Sequence, residues 1–271
     1  MGERLTVFYR TTASEGNAPR PDWYDRRLCL LSLCYAFDML SSLDVNKKLV
    51  LLHDGELREN GNKDTIKRLV EPRGEIVELI PKQGNSKSCL LALEKAANLS
   101  DEGIVLFSED DYLWLPPAII GLIEALTQIP ADYATPYDHP VRYQTDYPYG
   151  KDLQHWNNNI YLTDSRHWRT QESTCMTFAV RKRTLVEDFF VFVLHIDNGK
   201  GVPSDRELFR HLQKLGKYQN ESGKRRMLVG PMPGLAVHVD TRGLDYKRPY
   251  VISWEKESAS IAEKFSSFVT R

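Results

Sequence analysis

The sequence predicts an α/β fold, an open and mostly parallel central sheet flanked by helices, and two observations carry the prediction. Short apolar runs rich in β-branched and aromatic residues alternate with longer helical patterns through residue 130, the signature of strands joined by crossover helices. One run, Ile104-Val105-Leu106-Phe107, is apolar at four successive positions, as suits a strand covered on both faces.

The elements follow in order. Residues 5–9 read as the first strand and 23–43 as a helix, with Leu30, Leu33, Cys34 and Phe37 on one apolar face. Residues 48–53 form a second strand, closed by the turn pair Asp54-Gly55. A short helix over 62–70 ends at Pro72 and Gly74, a third strand over 75–80 stops at Pro81, and a helix covers 86–99. After the apolar run at 104–107, Pro116-Pro117 opens another helix, where a missing N–H is tolerated. From 131 to about 169 aliphatic residues thin out and tyrosines and tryptophans crowd in. A strand over 175–180, two helices, a strand over 235–239 and an amphipathic tail helix over 251–268 complete the reading.

The 271 residues suffice for one large core. With 41% hydrophobic and 27% charged residues the chain has a globular composition. A formal net charge of -1 gives no global electrostatic case for nucleic-acid or membrane binding; a nucleic-acid acceptor stays possible but unsupported. No apolar run approaches the ~20 residues that a membrane span needs. The N-terminus runs into a strand pattern without an apolar signal region, and Cys29, Cys34, Cys89 and Cys175 show no paired spacing. The expectation is a cytoplasmic protein with buried, reduced thiols.

The most informative stretch is Ser108-Glu109-Asp110-Asp111, which follows the buried run. Adjacent carboxylates raise one another's pKa unless a cation stands between them. Mg²⁺ or Mn²⁺ binds through one or two carboxylates plus substrate phosphates. An acidic surface turn is the plain alternative; the strand before the knot and the flanking Tyr112 and Trp114 favour the metal reading.

Here the sequence resembles the family-2-like GT-A glycosyltransferases. Residues 104–111 are similar to that family's strand and D-x-D motif, which holds a metal bridging the donor's two phosphates, with Glu109 replacing the first Asp. The resemblance implies a GT-A, Rossmann-like sheet and a divalent metal, Mn²⁺ or Mg²⁺, at Glu109 and Asp111, with Asp110 contacting donor ribose or sugar. Val7-Phe8-Tyr9-Arg10-Thr11 takes the place of the first strand and its nucleotide-contacting turn. In Leu52-His53-Asp54-Gly55, His53 replaces the first of two Asp residues, leaving Asp54 as a base contact; Gly84-Asn85-Ser86 resembles the approach to the helix that lies against the nucleotide. Arg10, Thr11, Asp54, Asn85, Ser86 and Asp110 are thus the candidate donor-binding residues.

Pro203-Ser204-Asp205-Arg206-Glu207 has capping-box spacing, which puts Asp205 in a first helical turn where the macrodipole holds its pKa down. The spacing alone suits a purely structural role. The resemblance implies a catalytic one, Asp205 as general base with Glu207 in reserve. His238, late in the chain, is similar in placement to a histidine that completes the metal site in some members; a structural histidine is the alternative. Trp156 and Trp168 are candidates for an acceptor-binding platform, and packing of a flap explains the aromatic stretch equally well.

The resemblance makes residues 1–271 one domain, about 1–130 the nucleotide-sugar-binding half and about 131–271 the acceptor-binding half. It implies transfer of a sugar from a nucleotide-sugar, a UDP-sugar by resemblance only, to a glycan or other hydroxyl acceptor, with inversion. The alternatives are a non-catalytic nucleotide-sugar-binding protein and a sugar-phosphate nucleotidyltransferase. The second would want a glycine-rich loop after the first strand, where residues 10–16 hold one glycine.

Overall fold

A computed structural model describes residues 2–13, 18–57, 62–139, 158–244 and 252–269. The strands are β1 (Glu3–Thr12), β2 (Val45–Asp54), β3 (Gly74–Leu79), β4 (Ile104–Glu109), β5 (Tyr112–Trp114), β6 (Tyr133–Ala134), β7 (Ile160–Leu162), β8 (His167–Thr170), β9 (Phe178–Arg181), β10 (Leu228–Met232) and β11 (Ala236–His238). The helices are α1 (Arg26–Asp38), α2 (Asn62–Val70), α3 (Asn85–Ala97), α4 (Ala118–Gln128), α5 (Lys182–Ile196), α6 (Asp205–Leu212), α7 (Thr241–Leu244), α8 (Trp254–Lys264) and α9 (Ser266–Val269).

Among the described residues one sheet has nine strands, in the order β3-β2-β1-β4-β9-β6-β10-β8-β7. Its long strands β3, β2, β1 and β4 are mutually parallel; β9 enters antiparallel to β4 and β6, and β10 is parallel to β6 and antiparallel to β8. The mostly parallel sheet read from the sequence is therefore present, with its antiparallel pairings gathered in the later half.

Alternation along the strands sends side chains into two apolar layers. Leu5, Val7, Tyr9, Ile104 and Leu106 pack under α1, α4 and α8. Phe8, Val50, Leu52, Val105 and Phe107 pack under α3, α5 and α6. Both layers are closed, so β4 is covered on both sides as its apolar run predicts.

Several boundaries differ from the sequence reading. The first helix begins only at Arg26, because Asp25 caps it by accepting from the Arg27 N–H at 2.8 Å, and it runs to Asp38 before a 3-10 turn, Met39–Ser42. The tail helix is broken into α8 and α9 near Phe265. The strand expected at 175–180 begins only at Phe178, where pairing to β4 starts.

Strand order determines where a ligand cleft opens. The chain passes from β1 outward to β2 and β3, then returns to the other side of β1 as β4. Such a reversal leaves a crevice at the carboxyl ends of the two diverging strands, here β1 and β4, where Arg10 and Glu109 are register partners.

Candidate active site

The crevice is a cleft of about 310 Å³, lined by Arg10, Thr11, Thr12, Arg20, Arg26, Asp54, Lys82, Gly84, Asn85, Ser88, Glu109, Asp110 and Asp111. Strand alternation separates the three adjacent carboxylates. Glu109 points to the α3 side, where Arg10 Nη2 donates to its Oε1 at 2.8 Å. Asp110 points to the α1 side, accepting from Thr11 Oγ1 at 2.8 Å and pairing with Arg26 at 3.3 Å. Asp111 lies beyond the strand end, and its Oδ2 accepts from Arg20 Nη2 at 2.8 Å.

Each carboxylate thus has its own guanidinium, a different solution from one cation shared by the knot. Arg20 and Arg26, with Lys82, are site residues that the sequence reading missed. They lie in or beside irregular segments, where no periodicity marks a side chain's direction. The Arg20 segment is pinned across the molecule, since Arg20 also donates to the Val239 carbonyl and the Thr241 N–H donates to the Pro19 carbonyl at 3.0 Å.

β11 pairs antiparallel with β5, placing His238 opposite Tyr112 and beside Asp111. His238 Nε2 is 3.0 Å from Asp111 Oδ2. Burial pushes the Asp111 carboxyl up, but the hydrogen bonds from His238 and Arg20 prevail and hold it well below the usual carboxylate range. His238 is raised in turn, the Asp111 carboxylate outweighing the downward effect of burial. Glu109 is raised by burial against the opposing Arg10, with Asp111 adding to the rise.

A divalent cation can be tested against these groups. Among the described residues no set of three or more His, Cys, Asp or Glu side chains converges as a metal cage. Asp111 and His238 do converge, and Asp111 Oδ1 is buried without a hydrogen-bond partner. This donor pair with a spare buried oxygen fits a cation whose remaining ligands are phosphate oxygens and water.

The donor-side residues divide. Asp54 lines the cleft, yet its two oxygens accept from the Gln83 and Gly84 N–H groups at 2.6 and 2.9 Å. Its visible role is to shape the loop that opens α3, where Gly84 has φ +85°, a left-handed conformation suited to glycine. Asn85 accepts from Arg10 Nη1 through Oδ1 and through its carbonyl, at 3.1 and 3.2 Å. Ser86 is not in the cleft wall; its N–H donates to the Gly201 carbonyl at 3.3 Å and its hydroxyl is buried.

Asp205 begins α6, but not in a capping box. Ser204 makes no side-chain cap, its hydroxyl accepting from Asn198 instead at 2.9 Å. Glu207 turns away to Lys217 at 2.7 Å and to the Tyr218 hydroxyl at 2.8 Å, so the reserve base lies off the site. Burial raises the Asp205 carboxyl, opposed by the Arg206 N–H and by His238. The N–H groups of the first turn do pull it down, as the helix start predicts, but the loss of hydration outweighs them. Asp205 and His238 sense each other's charge, as do Asp205 and Glu109. Buried Glu172 fixes α6 from behind through Arg206 and Arg210, and its carbonyl accepts from Gln213.

Trp168 is corrected outright as an acceptor platform. Its side chain is fully buried, with the indole N–H donating to Thr163 Oγ1 at 3.1 Å, so no ring face is open for stacking. Trp156 lies outside the described residues.

No protein-family model and no curated protein sequence matches this chain. Solved structures similar to it include a galactosyltransferase. That protein, LgtC in complex with donor and acceptor sugar analogues, shares 9% identity at a TM-score of 0.41, over 75% of this chain and 68% of that one. S. aureus TarS shares 15% identity at a TM-score of 0.34, over 49% of this chain; the match spans only 21% of the TarS chain. A mycobacterial protein shares 11% identity at a TM-score of 0.42, over 98% and 75% of the respective chains. None of these similarities assigns a donor, an acceptor or a residue role to this chain. Among the described residues no helix is long and apolar enough to cross a membrane.

Proposed function

We propose that the protein is a metal-dependent glycosyltransferase that moves a sugar from a UDP-sugar to an acceptor hydroxyl with inversion. The observation that carries this reading is the pairing of Asp111 with His238 at 3.0 Å, from distant parts of the chain, at a cleft on the β1–β4 switch point that Asp111 lines. The resemblance of residues 104–111 to a D-x-D motif supports it.

Asp111 and His238 would hold Mn²⁺ or Mg²⁺, which when bound offsets the charge that develops on a departing diphosphate. Arg10, Arg26 and Lys82 line the cleft beside the carboxylates, where their N–H groups could also donate to phosphate oxygens. Asp54 and Gly84 keep the backbone turn before α3 in shape for the nucleoside. Asp205, whose burial makes its carboxylate a stronger base than in water, takes the proton from the acceptor hydroxyl as that oxygen attacks the anomeric carbon.

The test is calorimetric titration of UDP, with and without Mn²⁺, into wild type and Asp111→Ala. Metal-dependent binding that disappears in the variant is the expected result. Failure to bind UDP with any divalent metal would sink the reading.

A further inference from the structure

Asp111 Oδ2 has two partners. His238 Nε2 lies 3.0 Å from it and Arg20 Nη2 lies 2.8 Å away. A cation held jointly by His238 Nε2 and the Asp111 carboxylate has to come between those two groups, against the oxygen that Arg20 already holds. Two positive charges at one carboxylate oxygen repel each other, and partial burial weakens the screening that would soften the repulsion. The Arg20 and Asp111 side chains are only 19% and 16% exposed.

The fold holds Arg20 in this position. Its other nitrogen, Nη1, donates to the Val239 carbonyl, and the Val239 N–H donates to the Asp111 carbonyl at 2.9 Å. The guanidinium also stands over the Tyr24 ring, 4.8 Å from its centroid. One planar fork thus joins the side chain of Asp111 to the main chain just after His238. A second use of the fork is open as well, because Arg20 lines the cleft and a guanidinium matches phosphate as well as carboxylate. Four cationic and four anionic side chains line that cleft. With its formal charges balanced, the cleft has no negative surplus to draw in a lone dication. A diphosphate brings one.

We propose that Arg20 keeps the Asp111–His238 pair closed to a divalent cation until a diphosphate arrives, its guanidinium then leaving Asp111 for the phosphate oxygens. The inference rests on the metal-dependent reading above and adds a dependence to it: cation and nucleotide bind as a coupled pair, and Arg20 sets the coupling. Arg10 and Arg26 are not equivalent to Arg20. They hold Glu109 and Asp110, and neither donates to the oxygen that His238 faces.

The experiment titrates Mn²⁺ into the full chain without nucleotide, following free Mn²⁺ by electron paramagnetic resonance, and titrates UDP at a fixed excess of Mn²⁺ by calorimetry. Arg20→Gln removes the charge and keeps an amide donor for the Val239 carbonyl; Arg20→Lys keeps the charge. With its fold confirmed by circular dichroism, Arg20→Gln should bind Mn²⁺ alone at least about tenfold more tightly than wild type. It should bind UDP with Mn²⁺ about tenfold more weakly. An arginine with a purely structural role would give losses in both titrations. The tightening should vanish when Arg20→Gln is combined with Asp111→Ala, and Arg20→Lys should bind Mn²⁺ as weakly as wild type. In wild type itself, Mn²⁺ should bind at least about tenfold more tightly when UDP is present, after correction for Mn²⁺ held by free UDP. Equal Mn²⁺ affinity with and without UDP, or Arg20→Gln binding Mn²⁺ no more tightly than wild type, would overturn the inference. So would Arg20→Lys binding Mn²⁺ as tightly as Arg20→Gln. In each of these cases UDP binding by wild type with Mn²⁺ leaves the metal-dependent reading standing. A wild type that binds no UDP with any divalent metal sinks that reading, and the inference with it.

Discussion

His238 Nε2 lies 3.0 Å from Asp111 Oδ2, joining residues 127 positions apart in the chain. The pairing of β11 with β5 holds the two together, and the same Asp111 oxygen also accepts from Arg20. Replacing His238 by Ala removes one of the two groups assigned to the metal. Mn²⁺-dependent UDP binding should weaken about 10- to 100-fold, while binding of UDP without metal stays unchanged in the same calorimetric titrations.

Asp205 should show its burial in a pH profile. Only the ionised carboxylate accepts a proton, and its pKa is raised. The rate should therefore fall as pH drops through a value above the ordinary ~3.9 of an aspartate. Asp205→Asn should reduce turnover about 10²- to 10⁴-fold with UDP affinity intact.

The same shift has a stability consequence. A carboxyl whose pKa is higher folded than unfolded stabilises the fold below its unfolded pKa, and that contribution is lost as pH rises through the folded value. At neutral pH the charged, partly buried Asp205 is a burden on folding. Asp205→Asn should accordingly melt at a higher temperature than wild type at pH 7, and the gap should close in acid.

Asp54 shapes the loop before α3 with both of its oxygens. Asp54→Asn keeps one acceptor oxygen and leaves one of the Gln83 and Gly84 N–H groups unpaired, a cost of about 1–3 kcal/mol. UDP affinity should drop about tenfold or more, with the far-ultraviolet circular dichroism spectrum preserved.

Arg226 has its side chain only 2% exposed and serves Asp132, Glu187 and Asp188 at once, at 3.1, 2.8 and 2.8 Å. Arg226→Met removes the guanidinium from the mostly buried Asp132 and Asp188, which keep the Met227 N–H and the Tyr133 hydroxyl, so unfolding in urea should show a loss of about 1–3 kcal/mol. The site is remote from the cleft, and UDP binding of the folded fraction should not change.

The alternation of apolar runs and helical patterns was legible because each element is specified by contiguous residues. Residues 62–70 fold as the helix α2 that their pattern predicts. The four apolar residues 104–107 lie within a strand buried on both faces. The acidic knot at the end of that strand was legible for the same reason. Ser204 and Glu207 show where local spacing misleads: both have capping-box positions, but their side chains are taken by Asn198 and Lys217 from outside the helix.

By itself, then, the sequence determined an α/β chain with a carboxylate cluster at the end of a buried central strand. Only the tertiary structure decided which groups face that cluster. Arg20 reaches Asp111 across 91 positions and His238 across 127, Asp205 comes in on a separate helix, and Trp168, an apparent platform in the sequence, is sealed in the core. Periodicity is a property of neighbouring residues and survives in the one-dimensional string. The meeting of distant charges depends on strand order and on where the chain reverses across the sheet, and those are settled only when both apolar layers are packed together.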